Sequence, residues 1–431
     1  MGILVALIAL SVLILIHELG HFLAAKAVGI KVLEFSIFMG PKLFSVKRGE
    51  TVYSLRLIPM GGFVRMEGEE ETSDDERSFT MQPPWKRALV IGSGPAMNIL
   101  LAFLMAAIVL SSVGYYTNRI SYLGENSPLK EAGIDIGDRL ISYAGKRLFE
   151  PGSDLGILMY AEDGTPKQVV YEDADTGKKV TAVVTPARTQ TIWRLGFTAV
   201  SENGVGTNQI QLIEDDSPLR AAGIRRGDII VKVDGIPVSS TRDIQQVLNV
   251  TRSDKSAPLT LEVLRNGRLL VFENIKPYQY SQYTLDLGFE RRKGDVFGAI
   301  GAAGRFSVST IRNVFVTLGW LFKGNVSFRE LSGPVGIIGS VGSVVQEREP
   351  ISEKVMNLLY LSAFIGINLG VMNLLPIPAL DGSMLLIIVI EKIRGKPLPR
   401  EKVGMVSMIG FMLLIGLLIA TLFNDIPRWF F

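Results

Sequence analysis

The chain has 431 residues, 48% of them hydrophobic and 20% charged, with a net charge of +3 at neutral pH and no cysteine. It is too apolar for an average soluble enzyme and too charged for a bundle buried wholly in lipid, so a hybrid of membrane spans and soluble modules is expected. The lack of cysteine excludes thiol catalysis, disulfides and cysteine-ligated zinc, and no basic run is interleaved with aromatics as a nucleic-acid surface requires.

Residues 3–25 are apolar over a length that crosses about 30 Å of hydrocarbon. No Lys or Arg precedes the run, whereas a signal peptide opens on a basic segment. Within it stands His17-Glu18-Leu19-Gly20-His21, which holds both histidines of the chain. On a helix, positions i and i+4 share a face, so both imidazoles reach one cation while Glu18 leans over the open coordination position. This is the H-E-x-x-H arrangement of zinc hydrolases. The competing reading is a pair of packing histidines, against which stands the few kcal/mol that an ionisable group costs in hydrocarbon.

Residues 30–87 carry Lys31, Lys42, Lys47, Arg48, Arg56 and Arg65 and cannot be a second span. Residues 51–57 alternate as a strand, and 61–66 are expected to return as their partner after a turn at Pro59. Such a hairpin beside the metal helix offers Tyr53, Leu55 and Gly62 to an extended peptide by strand addition; an ordinary surface hairpin is the alternative. Residues 67–78 form an acidic solvated loop. A second span covers 88–113, anchored at the interface by Trp85-Lys86-Arg87; Gly92, Gly94 and Pro95 permit close helix approach, and Asn98 needs a polar partner.

From 118 to 292 the hydropathy drops and the chain repeats itself. Ser127 to Asp138 (SPLKEAGIDIGD) matches Ser217 to Asp228 (SPLRAAGIRRGD) at an offset of 90, and Leu195-Gly196-Phe197 is answered by Leu287-Gly288-Phe289 at an offset of 92. A period of that size is a tandem domain, not a solenoid. These segments resemble PDZ domains, with the two Leu-Gly-Phe triplets as carboxylate-binding loops. Because each triplet closes its copy, both copies are expected to be circularly permuted. Each groove would then take the C-terminus of a peptide by strand addition; spacer domains that bind nothing are the alternative, since no basic residue marks either loop.

Residues 305–322 are apolar but interrupted by Arg305, Arg312 and Asn313, which suits an interfacial helix, and Leu331 to Ile338 lead into another helical piece. Residues 358–393 form an apolar stretch too long for one straight crossing and broken at Asn373-Leu374-Leu375-Pro376-Ile377-Pro378-Ala379-Leu380-Asp381-Gly382. Irregular backbone at membrane depth is tolerated only inside protein or beside water, and Asp381 there needs a cation. It is the favoured third metal ligand; Glu34 and Glu67 compete formally but are expected outside a buried apolar context. Residues 403–423 make the last span, ending near Trp429 and Phe430. The expected division is 1–117 (two spans and the β-hairpin), 118–200 and 201–292 (two PDZ-like domains), 293–355 (interfacial helices) and 356–431 (the broken third and the fourth span). Ten Lys and Arg between residues 26 and 87, and five from Lys392 to Lys402, place those segments in the cytoplasm, the PDZ-like pair outside and the metal site toward the cytoplasmic face.

With H-E-L-G-H in the first span, N-x-x-P-x-P-x-L-D-G in the third and PDZ copies between, the chain resembles the bacterial site-2 protease family over its whole length, most of all its sigma-E-regulating branch. The resemblance implies an α-helical inner-membrane protein of four transmembrane helices, with a re-entrant β-structure and two PDZ domains of α+β type. It implies Zn2+ held by His17, His21 and Asp381, Glu18 as general base, and Asn373 and Pro376 along the substrate path. It further implies single-span transmembrane substrates already trimmed outside the membrane, such as an anti-sigma factor or signal-peptide remnants, with membrane lipid and C-terminal peptides as other partners and no nucleic acid. An inactive PDZ scaffold that keeps the metal site would be expected to lack Glu18, and a metal transporter would need ligands along a route.

Overall fold

The computed structural model describes residues 2–69, 73–202, 205–214, 216–323 and 333–430. Its helices are α1 (Gly2–Ala27), α2 (Pro84–Val113), α3 (Pro128–Glu131), α4 (Pro151–Tyr160), α5 (Pro218–Ala221), α6 (Thr241–Gln246), α7 (Val296–Lys323), α8 (Pro334–Gln346), α9 (Ile351–Asn373), α10 (Asp381–Arg394) and α11 (Arg400–Phe430). Among the described residues four helical stretches are long and apolar enough to cross a membrane: α1, α2, α9 and Glu401–Phe423 of α11. Residues 331 and 332 and the side chains of Trp429 and Phe430 lie outside the description.

Helices in lipid gain nothing from hiding one apolar surface against another, so small residues that let backbones approach hold them together. Gly20 of α1 faces the backbone of α2 so closely that a Cβ would stand 2.4 Å from Ser93 O. A Cβ on Gly370 of α9 would stand 2.9 Å from Pro95 O of α2, and one on Gly366 3.2 Å from Leu13 of α1. These contacts bring α9 against α1 and α2. Beyond it the chain breaks as expected: Pro376 and Pro378 have no N–H to give a helix, and Ala379 adopts φ 74°. Gly382 closes the break, since a Cβ there would lie 2.2 Å from the carbonyl oxygens of both Leu374 and Leu375.

Residues 32–48 and 51–66 form the sheet beside α1, with a pairing unlike the expected hairpin. Residues 34–37 pair with 62–65 on one side and with 52–55 on the other, and 51–55 pair in turn with 44–48. The 61–66 segment therefore does not return on 51–57 but lies across 34–37 from it. The chain turns back within its first strand, at Phe38 (φ 69°) and Gly40 (φ 86°), and this places 51–57 in the sheet interior. Ser11 Oγ of α1 donates to Pro59 O at 2.8 Å, and Phe22 packs on Phe35 and Tyr53, so the sheet is fastened to the helix that carries the histidines.

The repeat forms two modules, but the expected boundary between residues 200 and 201 does not follow the sheets. Strand 287–292 pairs with 115–123, which continues through 139–143 and 167–172 to 179–184; strand 197–202 pairs with 205–213, followed by 229–233, 259–265 and 268–275. Two cores result, one around Ile120, Leu140, Tyr143 and Leu285, the other around Leu195, Ile230, Leu261 and Ile275. The second module is inserted into the first, and the connecting segments lie together as short antiparallel pairs, 187–188 with 283–284 and 192–194 with 278–280. In each module a Ser-Pro helix start ties the turn to its own core. Ser127 Oγ caps α3 and donates to Leu285 O at 2.7 Å; Ser217 Oγ caps α5 and donates to Leu195 O at 2.6 Å. The Leu-Gly-Phe strand thus comes last in the first module and first in the second, so the two copies have different chain orders where the same permutation was expected of both.

Candidate metal centre and active site

One turn of α1 places His17 and His21 on the same face, and the break before α10 delivers Asp381 to them. His17 Nε2 lies 3.0 Å and His21 Nε2 3.6 Å from Asp381 Oδ2, with the two Nε2 atoms 3.1 Å apart. Both histidines are buried. His21 Nδ1 donates to Val90 O at 2.8 Å, which fixes that ring with the Nε2 lone pair turned inward. His17 Nδ1 lies 3.4 Å from the amide nitrogen of Asn98, a fully buried residue whose Oδ1 has no hydrogen-bond partner. With the amide turned so that Oδ1 meets the ring, Nδ1–H is satisfied and the second Nε2 lone pair also points inward. Two lone pairs and a carboxylate oxygen that converge in this way repel one another unless a cation lies among them. Ligands about 2 Å from a tetrahedral ion stand about 3.3 Å from each other, close to the separations found, and two nitrogens with one oxygen are a donor set that suits zinc.

The backbone of α2 leaves room for such an ion. A Cβ on Gly94 would sit 2.4 Å from His21 Nε2 and 2.9 Å from His17 Nε2. Glu18, one residue on from His17, accepts a hydrogen bond at 3.1 Å from the N–H of Val64, on the 61–66 strand. Among the described residues, His17, His21 and Asp381 are the set of potential ligands whose atoms all fall within 4.8 Å of one another.

Glu34, expected in the open, is buried at 3% exposure. It is not a ligand: Ser54 and Arg56 donate to it at 2.6 and 2.9 Å, and Lys42 and Arg65 lie at 3.2 and 3.5 Å. Burial pushes its carboxyl up, but the Ser54, Arg56 and Lys42 bonds outweigh that and hold it at about 2. Glu67 pairs with Lys31 at 3.1 Å.

Tyr53 and Leu55 do not lie on a free edge, because 51–55 is paired on both sides; Tyr53 packs on Phe22 and Phe35 instead. Gly62 lies on the outer strand, where a Cβ would come 3.8 Å from Glu18 Cγ. Asn373 closes α9, and Pro376 is exposed in the break before Asp381. Leu287 and Phe289 line a cavity of about 690 Å³ with Leu155 and Met159 of α4, and Leu195-Gly196-Phe197 line one of about 210 Å³ with Ile244 of α6. Arg194, directly before Leu195, also lines that cavity and pairs with Glu214. Sequence reasoning missed the direct involvement of Asn98 and Gly94 at the centre; the one signal was a polar residue and a glycine in a span that otherwise reads as packing.

Two imidazoles and a carboxylate converging beside a glutamate, on and next to helices apolar enough to cross a membrane, are the centre of a membrane metallopeptidase. The profile of Peptidase family M50 matches residues 5–417, and the chain belongs to that family, the site-2 proteases. Zinc metalloprotease RasP of Geobacillus kaustophilus is 32% identical over 98% of this chain and 97% of its own length; RasP of Shouchella clausii is 30% identical over the full length of both. The protein is a zinc metalloprotease of the membrane. A solved structure of the HtrA3 PDZ domain bound to a phage-derived ligand also matches, at 27% identity over 22% of this chain and 92% of that chain, with a TM-score of 0.18.

Proposed function

We propose that the protein hydrolyses peptide bonds within the membrane segments of single-span proteins whose outer parts have already been trimmed, anti-sigma factors and signal-peptide remnants among them. The observation that carries the reading is the convergence of His17, His21 and Asp381 with Glu18 at their side. In this assignment the three residues hold Zn2+, which when bound acidifies a water and polarises the scissile carbonyl. Glu18 takes the proton of the attacking water and returns it to the leaving amine, and the Val64 N–H orients its carboxylate. A peptide bond in a helix is shielded by its own hydrogen bonds, so the substrate must be extended before cleavage. The outer strand at 61–66 can receive it: alternate residues of a strand point the same way, so Gly62 turns its backbone groups to the side on which Val64 meets Glu18. Asn373 and Pro376 would line the approach from the broken span.

The excess of basic residues in 26–87 and 392–402 supports a reading in which the centre lies toward the cytoplasmic face of the inner membrane and the two modules on the far side. There the modules, read as PDZ-like, act as a filter that turns away bulky ectodomains, and their grooves accept a trimmed C-terminus. Glu18→Gln tests the proposal. In liposomes holding a model transmembrane substrate, cleavage should fall roughly 10²- to 10⁴-fold while bound zinc stays at the wild-type level. Cleavage unchanged by the substitution would refute the assignment.

A further inference from the structure

The first module and the start of α7 line a third cavity, of about 540 Å³, that the protease reading does not use. Its charged lining is Arg139, Arg147, Lys179 and Arg305 against one acid, Glu172. Glu172 pairs with Arg139 at 3.6 Å, so the one acid of the lining is already matched by a cation other than Lys179 and Arg305. Among the described residues no carboxylate stands within ion-pair distance of Lys179 or Arg305, and Arg147 spreads its guanidinium over the Phe149 ring at 5.5 Å. Concave walls lined by cations of one sign concentrate an anion there.

The floor of this cavity distinguishes one anion from another. Gly301, Gly304 and Val308 occupy one face of α7, and no atom lies within 4 Å of where a Gly304 Cβ would be; at Gly301 the nearest is Arg305 Nη1 at 3.6 Å. The two glycines leave a groove along the helix beneath the cations. The same face carries Phe297, Ile300 and Val308, which are 88%, 42% and 46% exposed. An inorganic ion would meet the cations and leave the apolar groove empty. An amphiphile fills both, and a helix with this pattern is one that lies in the headgroup layer of a bilayer.

We infer that the cavity formed by Lys179, Arg305 and Gly304 binds the phosphodiester headgroup of an anionic phospholipid, with the upper part of an acyl chain along Gly304 and Val308. The lipid docks the first module to the membrane surface through α7. Each cation near a lipid surface is worth roughly fivefold in affinity, so removal of both Lys179 and Arg305 should cost about 30-fold.

The full-length protein, in zwitterionic detergent with equal phosphatidylglycerol and phosphatidylcholine, is examined by native mass spectrometry for retained lipid. Wild type should retain phosphatidylglycerol over phosphatidylcholine; Lys179→Ala should lower that preference roughly fivefold, and Lys179→Ala with Arg305→Gln should abolish it. Gly304→Leu, which keeps every charge and fills the groove, should also abolish it. Melting temperature and zinc content serve as folding controls, and Lys179→Ala, an exposed strand residue, remains informative if the double variant fails to fold. Equal retention of the two lipids by wild type overturns the proposal. So does full displacement by inorganic phosphate together with a Gly304→Leu variant of wild-type preference, since that is a site for a free anion.

Discussion

Gly94→Ala is the most direct probe of the metal centre, because the added methyl group falls among the ligand atoms. Its carbon would stand 2.4 Å from His21 Nε2, 2.6 Å from His21 Cε1 and 2.9 Å from His17 Nε2, where ordinary contact begins at 3.4 Å. The His21 ring must then retreat by at least about 1 Å and the His17 ring by about half as much, whereas ligand positions around zinc are tolerant only to about 0.2 Å. Neither ring retreats freely, since His21 would give up its bond to Val90 O and His17 its contact with Asn98. Substitutions that merely disturb the partners of metal ligands cost 10- to 100-fold in metal affinity, so one that displaces two ligands should cost more than about 100-fold. After dialysis against a weak chelator, the variant should retain less than about a tenth of the zinc of wild type and cleave a model transmembrane substrate correspondingly slowly. Gly92→Ala is the matched control, with nothing within 4 Å of its Cβ and a helix-propensity gain of up to about 1 kcal/mol. Wild-type zinc content in Gly94→Ala would show that the ion, if bound, is not where the three ligands converge.

Other substitutions test the surroundings. Asn98→Ala removes the partner of His17 Nδ1 and should weaken zinc binding 10- to 100-fold, with activity restored by added zinc; activity lost but zinc affinity unchanged would exclude the orienting role. Glu34→Gln should lower the melting temperature at neutral pH. The folded Glu34 carboxyl is held at about 2 against an ordinary 4.5, so the stability it contributes is fully present above pH 4.5 and is lost as pH falls toward 2. The gap between wild type and variant should therefore narrow between pH 6 and pH 3.5, and a gap constant over that range would contradict the account. A fragment of residues 115–292 with 190–281 replaced by a short Gly-Ser linker should fold cooperatively, as it keeps both halves of the first core. A fragment of residues 118–200 lacks Leu285 and the 287–292 strand and should not; the opposite outcome by amide exchange would refute the nested arrangement.

What was legible in the chain was what depends on neighbours in sequence. The histidine spacing, the proline-broken span and the apolar lengths of the membrane helices are local, and α1, α2, α9 and α10 follow them closely. Pairings between distant segments were not legible, because a strand pattern states which face is buried but not which edge it meets. Thr51–Leu57 alternates whether its neighbour is 61–66 or, as found, 34–37 and 44–48. The two Leu-Gly-Phe triplets are likewise identical in sequence, and only the cores around Leu195 and Leu285 decide which module each strand joins. The surroundings of Glu34 are illegible for the same reason. Its burial depends on Arg56, Lys42 and Arg65, each brought to it by sheet pairing and none adjacent in sequence.

The broken span joins three requirements of the centre in one feature. A helix that ran straight through residues 374–380 would carry Asp381 about two turns, or roughly 10 Å, further along the axis. With the break, Asp381 becomes the first residue of α10, and the unpaired N–H groups of a helix start favour a negative charge at that point. The freed carbonyls of Leu374 and Leu375 come so close to Gly382 that no other residue fits there, and α11 approaches Pro378 through Gly410, whose Cβ would stand 2.2 Å from the proline ring. Gly382→Ala and Gly410→Ala should therefore lower the zinc content retained after dialysis by moving the start of α10 and with it Asp381.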